Sequence, residues 1–484
     1  MNVWAGSHGG MLSCFAVPPS SPSPAPSTWA ILAAVALGAV LLAIPAPTSL
    51  PPAGYRTGVL FAVALLLWIT EALPIAITAI LTLVAQPILG LAPLGTAFTN
   101  FMSPVFFFVV VMFAIAEAVA STGLARRFAY WLLTKAHGSA ERTLMLLMVG
   151  TGAMSTVVSD VPCCAVFMAV ALSLFEKLGL EPGRSRFAAA VMMGIPIASL
   201  IGGVGTPAGS SVNVLGLGFI EKFGQVRVPF VHWMAIGLPM VVILVPLSAK
   251  VISWCYPPEQ PRIAVDFRAE LDALGPLTPG EWKVIAIFGA MLAAWIASSW
   301  VPRIDVVIVA VLGATVMFLP GMNLFRSWKQ VEHATAWDAL LMIGSVTSLG
   351  ALSASSGLAK WLVDAALGGI ETWPAGLVVA TVTAFIVVVH VLVPINPAII
   401  AAMVPPIVVL AMETGQNPAL YGLPVVFTAS CAFLLPLDAV PLVTYGKGYY
   451  RMFDMLLPGA IISVAWIVVL TGLLLLIGPL IGLV

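Results

Sequence analysis

The sequence predicts an all-α polytopic membrane protein of two inverted repeats, each with a re-entrant helical hairpin and a broken transmembrane helix. Three observations predict it. Hydrophobic residues fill 61% of the 484 positions and charged ones 8%, a balance that only lipid can solvate. Runs of about 20 apolar residues, enough to cross a hydrocarbon core as helix, recur from Ser27 onward with short polar breaks. Two apolar stretches, 141–178 and 373–413, are interrupted midway by Ser159-Asp160-Val161-Pro162 and by Pro394-Ile395-Asn396-Pro397.

The elements follow in order. Residues 1–27 are rich in Pro and Ser with almost no charge, so they read as a disordered tail. They lack the basic start of a cleaved signal peptide. Helices are expected near 28–46, 57–70, 73–92, 101–121, 229–250, 282–301, 304–320, 336–354 and 455–482. Strand-like alternation is missing from these runs, which excludes a barrel. A proline and a polar residue at mid-depth leave backbone groups that lipid cannot satisfy. Segments 141–178 and 373–413 are therefore read as hairpins with tips buried in protein. Two further segments read as broken helices: 187–218, interrupted at Gly202 to Gly209, and 421–444, interrupted at Leu435 to Pro441. The glycine-rich break lacks the preceding strand and the Lys-Ser/Thr ending of a nucleotide loop.

Duplication is written into the chain. Ser121-Thr122-Gly123-Leu124-Ala125-Arg126 recurs as Ser355-Ser356-Gly357-Leu358-Ala359-Lys360, and the two tips follow at similar intervals. The halves are 28–250 and 282–484, joined by a charged link over 251–281, and 124–136 and 358–370 read as interfacial helices. With a cytoplasmic N-terminus, only Arg56, Lys222, Arg227, Arg303 and Lys360 of the 20 Lys and Arg residues fall outside. That follows the positive-inside rule, puts the C-terminus outside and makes the hairpins enter from opposite faces. Zero net charge gives no reason to expect a nucleic-acid partner. Cys14, Cys163, Cys164, Cys255 and Cys431 lack metal-ligand spacing and read as packing residues.

Tips at mid-membrane expose helix ends, whose free N–H and C=O groups bind anions and cations respectively. Two tips facing two breaks make a site for coupled transport of a small ion pair. A channel fits broken helices and inverted repeats less well. An intramembrane aspartyl hydrolase would need Asp160 and Asp438 on uninterrupted spans, and neither is on one.

Trp68-Ile69-Thr70-Glu71-Ala72-Leu73-Pro74, then Gly202-Gly203-Val204-Gly205-Thr206, then Leu435-Pro436 and Gly446-Lys447-Gly448-Tyr449 resemble the divalent anion/sodium symporter family in residues and order. The resemblance runs from about residue 56 to the C-terminus. It implies an elevator mechanism, a homodimer formed by a scaffold domain, and Na+-driven uptake of a small anionic substrate across a plasma (inner) membrane. Proton coupling or exchange is the alternative. It also implies roles at the tips, where the family has Ser-Asn-Thr and this chain has Ser159-Asp160-Val161 and Ile395-Asn396-Pro397. On that basis the substrate site draws on Ser159, Asp160, Val161, Thr206, Ser210, Asn396, Pro397, Val440 and Pro441. The cation sites draw on Ser155, Ser159, Asp160, Gly205, Pro394, Asn396 and Asp438, with Ser155 and Ser159 on one helical face and Gly205 opposite. Asp160 also reads as a helix cap, His390 as a packed neutral histidine, Glu71 as a cap and Glu117 as a scaffold ion-pair member.

Overall fold

The computed structural model describes residues 28–483 apart from 264, 266, 302 and 326, so the expected tail over 1–27 lies outside the described residues. Helix follows helix, and the described residues form no strand, only the isolated bridge Ser139–Arg262. Among them, ten helices are long and apolar enough to cross a bilayer.

The order of elements occurs twice. The first series is Pro52–Thr70, Ile75–Ile88, Leu94–Phe101, Pro104–Thr122 and Leu124–Leu133. It continues with hairpin arms Ala140–Ser155 and Asp160–Leu178, the broken pair Arg186–Gly203 and Ser211–Gly224, and Phe230–Cys255. The second is Pro279–Ala297, Val306–Met317, Trp328–Ala334, Trp337–Ser355 and Leu358–Leu367. Its hairpin arms are Ala375–Leu392 and Asn396–Glu413, its broken pair Pro418–Thr428 and Ala439–Tyr445, and its last helix Leu456–Ile477. Thr28–Ala43 precedes both series. The repeated hexapeptide has a structural cause: Gly123 and Gly357 both stand at φ 81°, where a left-handed residue ends a long helix and lets a short one start in a new direction.

Packing places the breaks at the centre. Arg186–Gly203 is buried along nearly all its length whereas the last span is mostly not, so the broken helix is enclosed by protein and the last helix is peripheral. Arg186–Gly203 packs on both arms of the first hairpin and on Phe230–Cys255. Ser211–Gly224 crosses to Asn396–Glu413 and Pro418–Thr428, while Ala439–Tyr445 crosses back to Asp160–Leu178 and Arg186–Gly203. The long helices also exchange partners: Pro104–Thr122 lies on Val306–Met317, and Trp337–Ser355 on Ile75–Ile88. The latter contact is a polar seam, in which Thr82 meets Ser345 and Gln86 Nε2 donates to Ser348 Oγ at 2.9 Å.

Some boundaries differ from expectation. Phe230–Cys255 runs more than a turn beyond Lys250, and the next helix starts at Pro279 because Thr278 and Glu281 cap it reciprocally. The connection between halves is therefore shorter than 251–281 and contains its own helix, Phe267–Ala273. Leu94–Phe101 and Trp328–Ala334 were missed because they are too short to register as apolar runs. The connection is also a strap. Arg127 Nε donates to Glu281 Oε1 at 2.6 Å and its Nη1 to Gly275 O at 2.6 Å, Lys177 pairs with Glu270, and Ile263 N donates to Gly138 O at 2.8 Å. Glu259 receives the N–H groups of Arg186 and Phe187 at the start of the central helix. Partial burial pushes its carboxyl upward, but these hydrogen bonds outweigh that and hold it below the usual carboxylate range.

Candidate functional site

The first tip is residues 156–159, between an arm ending at Ser155 and one beginning at Asp160. The Asp160 carboxylate accepts from Ser159 Oγ at 3.3 Å and Val161 N–H at 2.9 Å on Oδ1, and from Ser210 Oγ at 3.1 Å on Oδ2. Ser199 Oγ donates to Asp160 O at 2.7 Å and Ser155 Oγ to Ser199 O at 2.7 Å, tying the tip to the central helix.

Beside it is a group of helix-end carbonyls. A β-carbon on Gly209 would lie 2.6 Å from Gly203 O, 2.9 Å from Ser155 O and 3.1 Å from Thr156 O. These oxygens lie at the C-terminal ends of Ala140–Ser155 and Arg186–Gly203, which carry the negative end of the helix dipole. Asn213 Nδ2 holds Gly203 O at 2.7 Å and Thr206 O at 3.0 Å, and Thr206 Oγ1 donates to Thr156 O at 2.8 Å. Asn213 Oδ1 is buried with no protein donor. Carbonyl oxygens converging at helix ends are hard ligands of the kind a small cation such as Na+ takes.

The second tip gives a related but different cluster. Asp438 caps Ala439–Tyr445 by accepting from Val440 N–H at 3.0 Å. The Asn396 side chain and the His390 ring both act on its carboxylate, and His390 Nε2 lies 2.7 Å from Asn396 Oδ1. Asp438 in turn is near enough to act on Asp160. Cys164 Sγ reaches Val440 O at 3.6 Å, joining the first hairpin to the second break. A cavity of about one water's size lies between His390, Cys431 and Leu435. Among the described residues no lysine or arginine forms an ion pair with either aspartate.

Comparison with known proteins places this geometry. The family model for the sodium:sulfate symporter transmembrane region matches residues 25–484. The chain belongs to this symporter family. Its relatives include a membrane protein of Cupriavidus necator, 27% identical over 85% of this chain and 84% of that one, and an uncharacterized transporter of Haemophilus influenzae, 27% identical over 85% and 89%. A sodium-dependent dicarboxylate transporter of Staphylococcus saprophyticus is 25% identical over 83% and 82%. Among solved structures, Neisseria gonorrhoeae MtrF is similar at TM-score 0.54 and 12% identity, over 77% of this chain and 82% of that one. Alcanivorax borkumensis YdaH is similar at 0.50 and 16%, over 77% and 86%. These two bear on fold alone. The chain is thus a multi-pass membrane transporter, not an enzyme.

Within this family member, Ser159, Asp160 and Ser210 come together, as do Asn396 and Asp438. Three expected placements change. Ser155 and Ser159 do not share a helical face, because the helix ends after Ser155 and Ser159 precedes the next one. A β-carbon on Gly205 would meet the Thr156 side chain at 2.7 Å and Gly202 O at 3.1 Å, whereas one on Gly209 would meet three carbonyls. His390 is buried, as expected of a packed histidine, but is hydrogen-bonded into the site. Val161 and Val440 take part through their N–H groups, while Pro441 O, inside Ala439–Tyr445, accepts from Tyr450 Oη at 3.2 Å beyond the end of that helix. Pro394 is half-buried and Pro397 opens the second arm. Glu71 ends its helix at φ 46°, and Glu117 accepts from Gln330 Nε2 at 2.8 Å, a neutral partner. Ser199, Gly209 and Asn213 were missed. Their one signal was position, each lying in or next to the Gly202 to Gly209 break.

Proposed function

We propose that the chain is a sodium-coupled carrier of a small divalent anion, a C4 dicarboxylate or a sulfate-like oxyanion, working as an elevator. The observation that carries the reading is the convergence of two hairpin tips and two helix breaks around Asp160, Asp438, Asn396 and the Gly209 carbonyls. Such a centre holds cations on helix C-terminal carbonyls and carboxylates, and the bound cations with helix-end N–H groups draw in the anion, beside Ser159 and Thr206 once their hydroxyls turn from Asp160 and Thr156 O. The dicarboxylate relative supports the substrate class and the sodium coupling.

Sliding is supported by an asymmetry. Trp337–Ser355 packs along the second hairpin's Asn396–Glu413, whereas its counterpart Pro104–Thr122 barely touches the first hairpin's Asp160–Leu178. Inverted repeats exchange such contacts when a mobile unit moves from one membrane face to the other. The strap at the base of the first hairpin, on the arginine- and lysine-rich side, supports a cytoplasmic N-terminus in a plasma membrane, and the homodimer belongs to the same reading.

The test is uptake of labelled succinate or sulfate into proteoliposomes under an imposed sodium gradient, proton gradient or neither. Sodium-driven accumulation at least about tenfold above the no-gradient level is expected. Accumulation driven only by protons assigns the coupling to the proton, and none under either gradient overturns the proposal.

A further inference from the structure

The two buried carboxylates occupy matched but not identical places. In the first half the tip residue is Asp160 and the residue capping the second part of the broken helix is Ser210. In the second half the tip residue is Asn396 and the cap is Asp438. Each half therefore contributes one carboxylate and one neutral partner, with their positions swapped. The two meet near the centre, and each takes the first free N–H of its helix, Val161 for Asp160 and Val440 for Asp438. Those N–H groups are the donors an anionic substrate would use. The protein thus holds a dicarboxylate of its own at its transport site.

The surroundings are built for positive charge. Three carbonyls close in on Gly209, and Asn213 Oδ1, fully buried at the same break, has no donor. In the second break Ser430 Oγ is likewise buried without a partner. A buried acceptor without a donor is costly, and a cation satisfies it.

We propose that Asp160 and Asp438 act as a built-in dianion, so that the sodium-loaded carrier without substrate is neutral at its site and crosses the membrane. The inference rests on the carrier reading above and extends it. In a site without carboxylates, bound sodium alone leaves a net positive charge that lipid penalises until the anion arrives. Here one positive charge per carboxylate gives zero, and it is the sodium-free carrier that is penalised. The return stroke then carries sodium, and only cations beyond this pair couple to the anion. The resulting activity is one-for-one sodium exchange in the absence of any organic or inorganic substrate.

The experiment is isotopic sodium exchange across proteoliposomes holding equal sodium on both sides and no substrate anion, with chloride as the only counter-ion. Exchange is expected to saturate with sodium, to exceed protein-free liposomes at least tenfold, and to fall to that baseline in Asp160→Asn and in Asp438→Asn. Sodium alone should also raise the melting temperature of the detergent-purified protein, and each variant should lose that rise. If one variant does not fold, the other carries the comparison. Exchange at the protein-free level from a preparation whose sodium gradient still drives anion uptake overturns the inference and leaves the carrier standing. Exchange that persists in both variants overturns it as well.

Discussion

Gly202→Ala is expected to leave little folded protein in the membrane. A β-carbon at this position would sit 2.2 Å from Gly152 O and 2.7 Å from Gly152 Cα, so it collides with backbone that has no rotamer to change. Two glycines let the central helix and the first hairpin arm touch main chain to main chain, as close-packed helices in lipid require. Overpacking costs about 1–3 kcal/mol when side chains can yield, and more is expected where they cannot. The neighbouring Gly203→Ala is the control. Its β-carbon would meet nothing nearer than 3.5 Å, so the variant should be recovered at normal yield. Detergent-solubilised yield and melting temperature of the pair check this, and equal behaviour would show that the helices are not in this register.

Gly209→Ala is expected to lower the yield less than Gly202→Ala and to lose its response to sodium in the protein that folds. No left-handed backbone is required of Gly209, so alanine costs nothing in φ, and the effect comes from the volume added between Gly203 O, Ser155 O and Thr156 O. At 2.6–3.1 Å the methyl group pushes these three carbonyls apart and so spoils any cation ligand set they form. The sodium concentration for half-maximal uptake should rise roughly tenfold or more, about 1.4 kcal/mol of lost binding. Sodium titrations of uptake and of melting temperature provide the reading. An unchanged titration in a folded variant removes the carbonyl group from the cation site.

Much of the architecture was legible because lipid makes strict demands. Mid-depth prolines beside Asp160 and Asn396 can exist only where the chain turns inside protein, and the two Ser-X-Gly-Leu-Ala-basic hexapeptides fall on the same helix-ending glycine conformation. Asp160, Asp438, Ser210 and Asn396 stand out in the sequence because polar residues are rare in such runs. What escaped were features set by three-dimensional approach. Nothing in the local pattern separates Gly209 from Gly205, since the difference lies in which carbonyls each glycine faces across two helices. His390 read as packing because its partner Asn396 lies across the tip, on the other arm. Ser155 and Ser159 misled through periodicity: four residues apart implies one face only while the helix continues, and this one stops at Ser155.

The central claim is that the two halves exchange scaffold contacts as the site moves between membrane faces. Paired cysteines test it most directly. A β-carbon on Gly350 lies 3.2 Å from Ala401 Cβ once the Phe219 ring edge yields, near the roughly 3.8 Å of a disulfide. By the internal repeat the matching pair is Ala116 and Ala165, on helices that have little contact here. Gly350→Cys with Ala401→Cys should form a disulfide that stops uptake and leaves the central site open to thiol reagents from one face of the membrane only. Ala116→Cys with Ala165→Cys should do the same from the opposite face, with both blocks relieved by reductant. Failure of the Ala116–Ala165 pair to form in an active carrier, or uptake undiminished with both pairs locked, would contradict the account.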